Sequence, residues 1–245
     1  MFAFRTTLGP VELAFTDRHG GVSAAPFESL NLAWAGDDPT ALAENHRRLM
    51  ADFAPGDDVA ALSQVHGREV AVVGPEGPAT DLHQHLHATG DGLVTRRPAT
   101  TLMVRAADCA PVLLADPDAR VVGAAHCGRA GLVAEVVPAT VAAMVEQGAR
   151  QIRAWLGPSV CGGCYEVPAD LQDEVGSKVP LSRATTTWGT PSVDLAAGIR
   201  AQLAELDIVL DTTAARCTRE SDDLFSYRRD GADSGRAAGL IRVAP

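Results

Sequence analysis

Residues 101–132 read TLMVRAADCAPVLLADPDARVVGAAHCGRAGL, and this stretch decides the architecture. Two apolar runs, 111–116 and 120–125, flank the turn-forming Pro117-Asp118-Ala119, and Cys109 and His126 bound them. Short apolar runs either side of such a turn predict an antiparallel hairpin. The midpoint of positions 109 and 126 falls inside the turn, so the Cys at the start of one strand is expected to face the His at the end of the other. Directly opposed residues carry Cβ atoms about 4.5–5.5 Å apart. A thiol and an imidazole at that spacing can share a metal ion, or serve as nucleophile and base.

Upstream of this hairpin, residues 2–16 predict another, with Leu8-Gly9-Pro10 as its turn and Val11, Leu13 and Phe15 on one face. The long irregular segment 18–32 has the composition of an ordered, functional loop. Asp38 followed by Pro39 marks a helix start, and Leu42, His46, Leu49, Met50 and Phe53 follow at helical spacing. Residues 57–73 predict two short strands around Gln64-Val65-His66-Gly67, with His66 at a strand end. In the Gly- and Pro-containing loop 74–90, His83, His85 and His87 could line one side of an extended strand and chelate a metal. Nothing around them reads as a shell to hold the imidazoles, so a surface loop is the expectation.

Downstream, Gly128-Arg129-Ala130-Gly131 enters a helix carrying Val133, Val136, Val137, Thr140, Val141, Met144 and Val145, with Gly148 ending it. Pro138 should mark its true start or bend it. Residues 151–156 predict a strand, 168–178 and 192–206 two helices, the latter with Ser192 as N-cap, and 208–212 a further strand. The Cys161-Gly162-Gly163-Cys164 motif invites redox or structural-zinc readings. A redox motif should open a helix, and a structural zinc site wants a second Cys/His pair at short spacing, which does not follow. A tight Gly turn near the site is the remaining expectation. The charged tract 217–239 includes Phe225-Ser226-Tyr227-Arg228-Arg229-Asp230-Gly231, where arginines flanked by aromatic rings suit stacking and phosphate binding.

The totals set the class. At 245 residues, with no repeat and no linker, a single α+β domain is expected, with mixed sheets built from antiparallel hairpins and flanked by helices as a layered α/β sandwich. No stretch approaches the roughly 20 apolar residues of a membrane span, and the first 15 residues lack the features of a signal peptide. The expectation is a cytoplasmic protein whose five Cys form no structural disulfide. A formal charge of −10 argues against a nucleic-acid partner and for a small molecule or another protein.

Cys109, His126 and His66 form a three-donor set that would leave zinc's fourth position open for catalysis. Two alternatives stand beside it: a Cys109 nucleophile with a His base, and side chains that merely pack. The base-deaminase zinc signature is absent, because Cys127-Gly128 follows His126 and Val160 precedes Cys161. No GxGxxG dinucleotide motif occurs.

Five ordered motifs carry a resemblance: Gln64-Val65-His66-Gly67, Asp91-Gly92-Leu93-Val94-Thr95, Ala107-Asp108-Cys109-Ala110-Pro111-Val112, Gly123-Ala124-Ala125-His126 and the 225–231 tract. With Ser29-Leu30-Asn31-Leu32 and Tyr165-Glu166-Val167 they make the chain similar, from about residue 16 to its end, to the polyphenol oxidase (laccase-like) domain family. That family includes bacterial purine nucleoside phosphorylases and the peptidoglycan editing factor. The resemblance implies one zinc ion on His66, Cys109 and His126, with phosphorolysis of adenosine, inosine, guanosine or methylthioadenosine, and deamination of adenosine. Its older oxidase label implies copper, but the seven His, several on helices or loops, cannot supply a four-copper cluster as well.

The family commonly reads HAGWRG where this chain has His126-Cys127-Gly128-Arg129-Ala130-Gly131. An anion-binding role of the usual Arg would therefore pass to Arg129 or be lost. On this reading Arg129, with Arg228 or Arg229, holds phosphate; Asn31 and Gln64 hydrogen-bond the substrate beside Tyr227; and Asp91 is the acid/base group. A Cys109-dependent hydrolase or amidase editing peptidoglycan precursors is the second reading. A non-catalytic cell-wall or division partner is the third.

Overall fold

In the computed structural model, residues 1–74 and 88–245 are described, so His83, His85 and His87 lie outside the described residues. The N-terminal hairpin forms as expected: β1 (Phe2–Leu8) and β2 (Val11–Thr16) pair antiparallel and close on Leu8 opposite Val11. Helix α1 (Pro39–Phe53) begins where the Asp38 carboxylate accepts from the N–H groups of Thr40 and Ala41. That cap supplies acceptors for N–H groups that the helix itself cannot satisfy. Short strands β3 (Asp58–Ala60), β4 (Val70–Val73) and β5 (Gly92–Thr95) precede three long ones, β6 (Thr100–Ala106), β7 (Ala110–Asp116) and β8 (Val121–Cys127).

The helix expected from Val133 is broken. A short helix α2 (Arg129–Val133) ends at Ala134, Glu135 takes a left-handed φ of 63°, and α3 (Val136–Glu146) starts anew. Pro138 therefore falls in the first turn of α3, where its missing N–H leaves no bond unmade. Then follow β9 (Arg153–Leu156), α4 (Ala169–Lys178), β10 (Arg183–Thr185), β11 (Pro191–Val193) and α5 (Leu195–Ala204). The chain ends with β12 (Leu210–Asp211), α6 (Tyr227–Asp230) and β13 (Ala237–Val243). Ser192 is not the cap of α5. It lies in β11, its hydroxyl donating to the Gly162 carbonyl, and Asp194 caps the helix by accepting from Ala197 N–H.

Five strands form one sheet in the order β1-β2-β13-β6-β3, and six form another in the order β12-β9-β7-β8-β5-β4. The alternation of strand side chains shows how the sheets stack. In β7, Leu113 and Ala115 join Leu13, Phe15, Leu102, Val104 and Ile241 of the other sheet in an apolar layer between the two. Val112 and Leu114 point the other way, onto Val137, Val141 and Met144 of α3 and Ile199 and Leu203 of α5. On the far side of the five-stranded sheet, Ala14, Met103 and Leu240 meet Leu49, Met50 and Phe53 of α1. The result is the layered α+β sandwich expected: helix, sheet, sheet, helices. Each fully buried Leu or Val contributes about 1.5–3 kcal/mol, so the central strands, apolar on both faces, dominate its stability.

The opening hairpin forms, but in a shifted register. Asp116 opposes Val121 and Pro111 opposes His126, because Arg120 takes φ 54° and joins the turn instead of the strand. Asp116 holds this turn by accepting from Ala119 N–H at 3.0 Å, and it also receives Arg150 and Gln151 N–H at 2.6 and 2.8 Å. Cys109 lies two residues before Pro111, so it is a diagonal neighbour of His126 instead of its direct partner. A two-residue displacement keeps both on one face, whereas a slip of one would have separated them.

Candidate functional site

Asp91 is the hub of the site. Buried just before β5, it accepts N–H bonds from Val65, His66 and Gly67 at 3.2, 3.0 and 2.7 Å, and its Oδ1 lies 2.8 Å from His126 Nδ1. Burial alone would raise the pKa of its carboxyl, but the bonds from His126 and these backbone groups outweigh it and the pKa falls. Asp91 is therefore ionised at neutral pH, and the N–H in its bond with His126 belongs to the imidazole. His66 is not at a strand end. It sits in the loop between β3 and β4 at φ 63°, a left-handed conformation costing roughly 1–3 kcal/mol in a non-glycine residue. The converging charge-assisted bonds to Asp91 offset that strain.

His126 is buried at the end of β8, and burial pulls its pKa down despite the opposing pull of Asp91. A neutral imidazole with its Nδ1 proton committed leaves the Nε2 lone pair available to a metal ion. Cys109 Sγ lies 3.7 Å from His66 Nε2, and the rings of His66 and His126 meet edge to face at 4.9 Å. One donor atom from each of the three residues falls within 4.8 Å of the others. Burial pushes the Cys109 thiol up to about 12, with the neighbouring Asp108 adding to the rise. Without a cation the sulfur is thus a protonated, weak nucleophile.

Gly128 closes the site from behind. A β-carbon there would stand 2.8 Å from His66 Cδ2 and 2.9 Å from Cys109 Sγ, so only a glycine lets the start of α2 approach this closely. One sulfur and two imidazole nitrogens with an open face suit a single borderline-soft ion. Among the described residues, no methionine lines the cleft to give the weak axial ligand of a blue-copper centre.

The three donors open into a cleft of about 740 Å³ between the ends of the two sheets. Two arginines that the sequence reading passed over dominate its wall. Arg105, on β6, stacks on Trp34 at 4.4 Å and donates to the Leu62 carbonyl. Burial, and then the adjacent Arg236 guanidinium, pull its pKa down to about 9. Arg236 donates to the Ser234 and Gly235 carbonyls. Among the described residues, neither arginine has a carboxylate partner within ion-pair distance. The two guanidinium groups make the cleft a ready anion site.

The other expected residues divide. Arg228 lines the cleft, stacks over Tyr165 at 4.6 Å and donates to the Glu166 carbonyl, and Tyr227 stands beside it. Gln64 also lines the cleft, but its amide is engaged with the backbone of Arg105 at 2.7 and 2.9 Å. Asn31 is buried away from the cleft, bonded to Asp37 and to the N–H groups of Ala33 and Arg236, so it positions Arg236. Arg229 is a clamp: it donates to the carbonyls of Thr218, Ser221 and Leu224 and pairs with Asp230. Arg129, half-buried at the first position of α2, is near enough to Tyr165 to act on its phenol, yet does not line the cleft. Asp108 draws the C-terminal tract in, accepting from Thr218 Oγ1 at 2.5 Å and from Arg228 N–H at 2.6 Å.

Cys161 and Cys164 form the expected tight turn, Cys164 N–H bonding to the Cys161 carbonyl. The structure also brings Cys217 and Glu220 to them, with one donor atom from each of the four within 4.8 Å of the rest. The partner pair that the sequence reading did not find thus comes from more than fifty residues downstream, with a carboxylate in place of the fourth thiol or imidazole.

No helix among the described residues is long and apolar enough to cross a membrane. A "Purine nucleoside phosphorylase" of Streptomyces griseus is 50% identical over 238 residues, covering 95% of this chain and 94% of its own. Another, of Streptomyces coelicolor, is 48% identical over 98% of this chain and 99% of its own. The crystal structure of YlmD from Geobacillus stearothermophilus superposes with a TM-score of 0.84 at 29% identity, covering 96% of this chain and 93% of that one. A Neisseria meningitidis protein of the DUF152 family superposes with a TM-score of 0.83 at 31% identity over 99% of both chains. Residues 12–244 match one family model throughout, and the chain belongs to the family described as multi-copper polyphenol oxidoreductase laccase.

Proposed function

We propose that the chain is a zinc-dependent purine nucleoside phosphorylase that also deaminates adenosine, with adenosine, inosine, guanosine and methylthioadenosine as its substrate class. Relatives named purine nucleoside phosphorylase support an enzyme of this kind, with a nucleoside and phosphate as its substrates. The observation that carries the reading is one cleft holding both the His66, Cys109 and His126 donors and an arginine pair with no carboxylate partner among the described residues. His66, Cys109 and His126 would hold the ion. When bound, zinc supplies Lewis-acid polarisation of an oxygen or of an attacking water. Two imidazoles and one thiol are a donor set that suits zinc.

Arg105 and Arg236, with Arg228 at the rim, bind phosphate and hold an oxygen towards ribose C1′. As the new C1′–O bond forms, the C1′–N9 bond breaks, and its electron pair leaves with the purine, which takes up a proton. Tyr165 and Tyr227 offer aromatic faces for the base. In deamination a water oxygen adds at C6 and ammonia leaves with the proton it needs. Asp91, its oxygens already taken by four donors, acts by orienting His126 Nε2 instead of carrying protons itself. Arg129 is a second-rank phosphate candidate, reaching the substrate only by way of Tyr165.

Product analysis with adenosine, with and without phosphate, tests the reading. Adenine or hypoxanthine together with ribose 1-phosphate is the expected phosphorolysis product set, and inosine the deamination product. Zinc-loaded protein that yields none of these would refute it. Alkylation provides the second arm: Cys109 is expected to be protected when zinc is bound. Rapid modification with loss of activity would instead favour the Cys109 hydrolase or amidase.

A further inference from the structure

The Cys161, Cys164, Cys217 and Glu220 cluster lies outside the cleft, and the chemistry above makes no use of it. Cys164 is buried, Cys161 and Cys217 are half-buried, and Glu220 is exposed at the edge. The backbone sets this arrangement before the side chains do. Ser159 and Cys217 form a parallel bridge, with Ser159 N–H donating to the Arg216 carbonyl and Thr218 N–H to the Ser159 carbonyl. These bonds hold the segment after β9 against the segment after β12. The 161–164 turn is closed by Cys164 and Tyr165 N–H on the Cys161 carbonyl. Gly162 allows the turn its position, since a β-carbon there would stand 2.8 Å from Asp194 Cβ.

We propose that this cluster is a second metal site, a closed four-coordinate zinc centre of three thiolates and one carboxylate that is structural in purpose. The spacing supports it: the turn supplies a Cys-x-x-Cys pair, and the bridge brings up Cys217-x-x-Glu220. Tetrahedral zinc with bonds of about 2.3 Å to sulfur sets its ligands roughly 3.8 Å apart. All four donor atoms already lie within 4.8 Å of one another, and Cys164 Sγ is 3.2 Å from Glu220 Oε1, so small side-chain rotations complete the site. As the three Zn–S bonds form, three thiol protons pass to solvent, and no oxidant or reductant is needed. With four protein ligands, no position is left open for substrate.

The site would fix one wall of the cleft. Tyr165, next to Cys164, carries the stacked Arg228, and Thr218, next to Cys217, holds Asp108 beside Cys109. This inference does not depend on the nucleoside reading, because its ligands are shared with nothing in the cleft.

The test is metal stoichiometry and spectrum on the full chain loaded with zinc or cobalt. Wild-type protein is expected to retain about two equivalents, Cys109→Ala about one, and Cys109→Ala with Cys161→Ser and Cys217→Ser none. In the cobalt form of Cys109→Ala, an intense sulfur-to-cobalt band should persist, since its remaining metal would be held by three thiolates. Glu220→Gln, an exposed change, guards against loss of folding. Its zinc affinity at this site should fall by at least the roughly 10- to 100-fold that loss of an outer-shell partner costs. A Cys109→Ala protein that holds no metal would overturn the proposal, as would an unaltered affinity in Glu220→Gln. An intact mass two hydrogens lighter, showing two of these cysteines joined, would also overturn it.

Discussion

Replacing Gly128 with Ala isolates the metal centre from the fold. The residue has φ −84° and ψ −177°, an extended conformation open to any L residue, so alanine introduces no backbone strain. The new β-carbon would stand 2.8 Å from His66 Cδ2 and 2.9 Å from Cys109 Sγ. Carbon contacts relax at about 3.5–4.0 Å, so each side chain must retreat by roughly 0.6–1.2 Å. Metal-ligand distances tolerate about ±0.2 Å, and the displacement exceeds this several-fold. Two of the three donors move at once, and zinc affinity should fall by at least about 10- to 100-fold. Stability should change little, since alanine in place of a glycine cap costs about 1 kcal/mol or less. In a chain of this size that is a Tm change of about 2–4 °C in the metal-free protein. Chelator competition measures the first quantity and thermal unfolding of the apo-protein the second. Wild-type zinc affinity in Gly128→Ala would refute the assignment of His66 and Cys109 as ligands.

Asp91→Asn keeps the shape of the hub but presents an N–H₂ group to a set of donors. Zinc affinity is expected to fall about 10- to 100-fold, and a buried donor left without an acceptor should cost about 1–3 kcal/mol in the apo-protein, both read by titration and denaturant unfolding. Arg236→Ala should weaken phosphate binding and reduce its salt dependence, measured by calorimetry at two ionic strengths, while metal content stays unchanged; unaltered phosphate affinity would remove Arg236 from the anion site. Asp116 gives a pH signature. Burial would raise its pKa, but the N–H groups of Arg150, Ala119 and Gln151 outweigh this and lower it. Its stabilisation is thus full above the unfolded carboxylate value of about 3.9 and is lost as pH falls through the lower folded value. Asp116→Asn should therefore be less stable than wild type at neutral pH, with the gap narrowing in acid; a gap that stays constant down to pH 2 would contradict the assignment.

The layered fold was legible because its determinants are local. Runs of alternating apolar residues, Asp38-Pro39 and the Pro117 turn each specify their own segment. Register was less so. One residue, Arg120, entering the turn in a left-handed conformation moved Cys109 from facing His126 to lying diagonally from it, and composition does not signal such a choice. Arg105 and Arg236, which the fold brings to the cleft wall from distant parts of the chain, were missed. Arg105 did leave a trace, being the one charged residue in the otherwise apolar stretch 102–106. Cys217 and Glu220 left none, since the bridge that brings them to Cys161 is made by backbone groups. Arg229 read as a ligand for phosphate and proved to be a clamp, because an arginine's five donors serve carbonyls as readily as anions.

Strand β13 has a consequence for synthesis. It follows every other strand in the chain, yet it lies at the centre of its sheet, between β2 and β6. Asp108 likewise waits for partners 110 and 120 residues further on. On the ribosome, β2 and β6 emerge with open edges that cannot meet, and at about 5–20 residues per second the gap lasts several seconds or more. During that interval the His and Cys donors are already translated, but the wall that encloses them is not. Chain connectivity thus places closure of the cleft after synthesis of its donors, and until β13 arrives the sheet carries two unpaired edges of the kind that invite pairing with a neighbour.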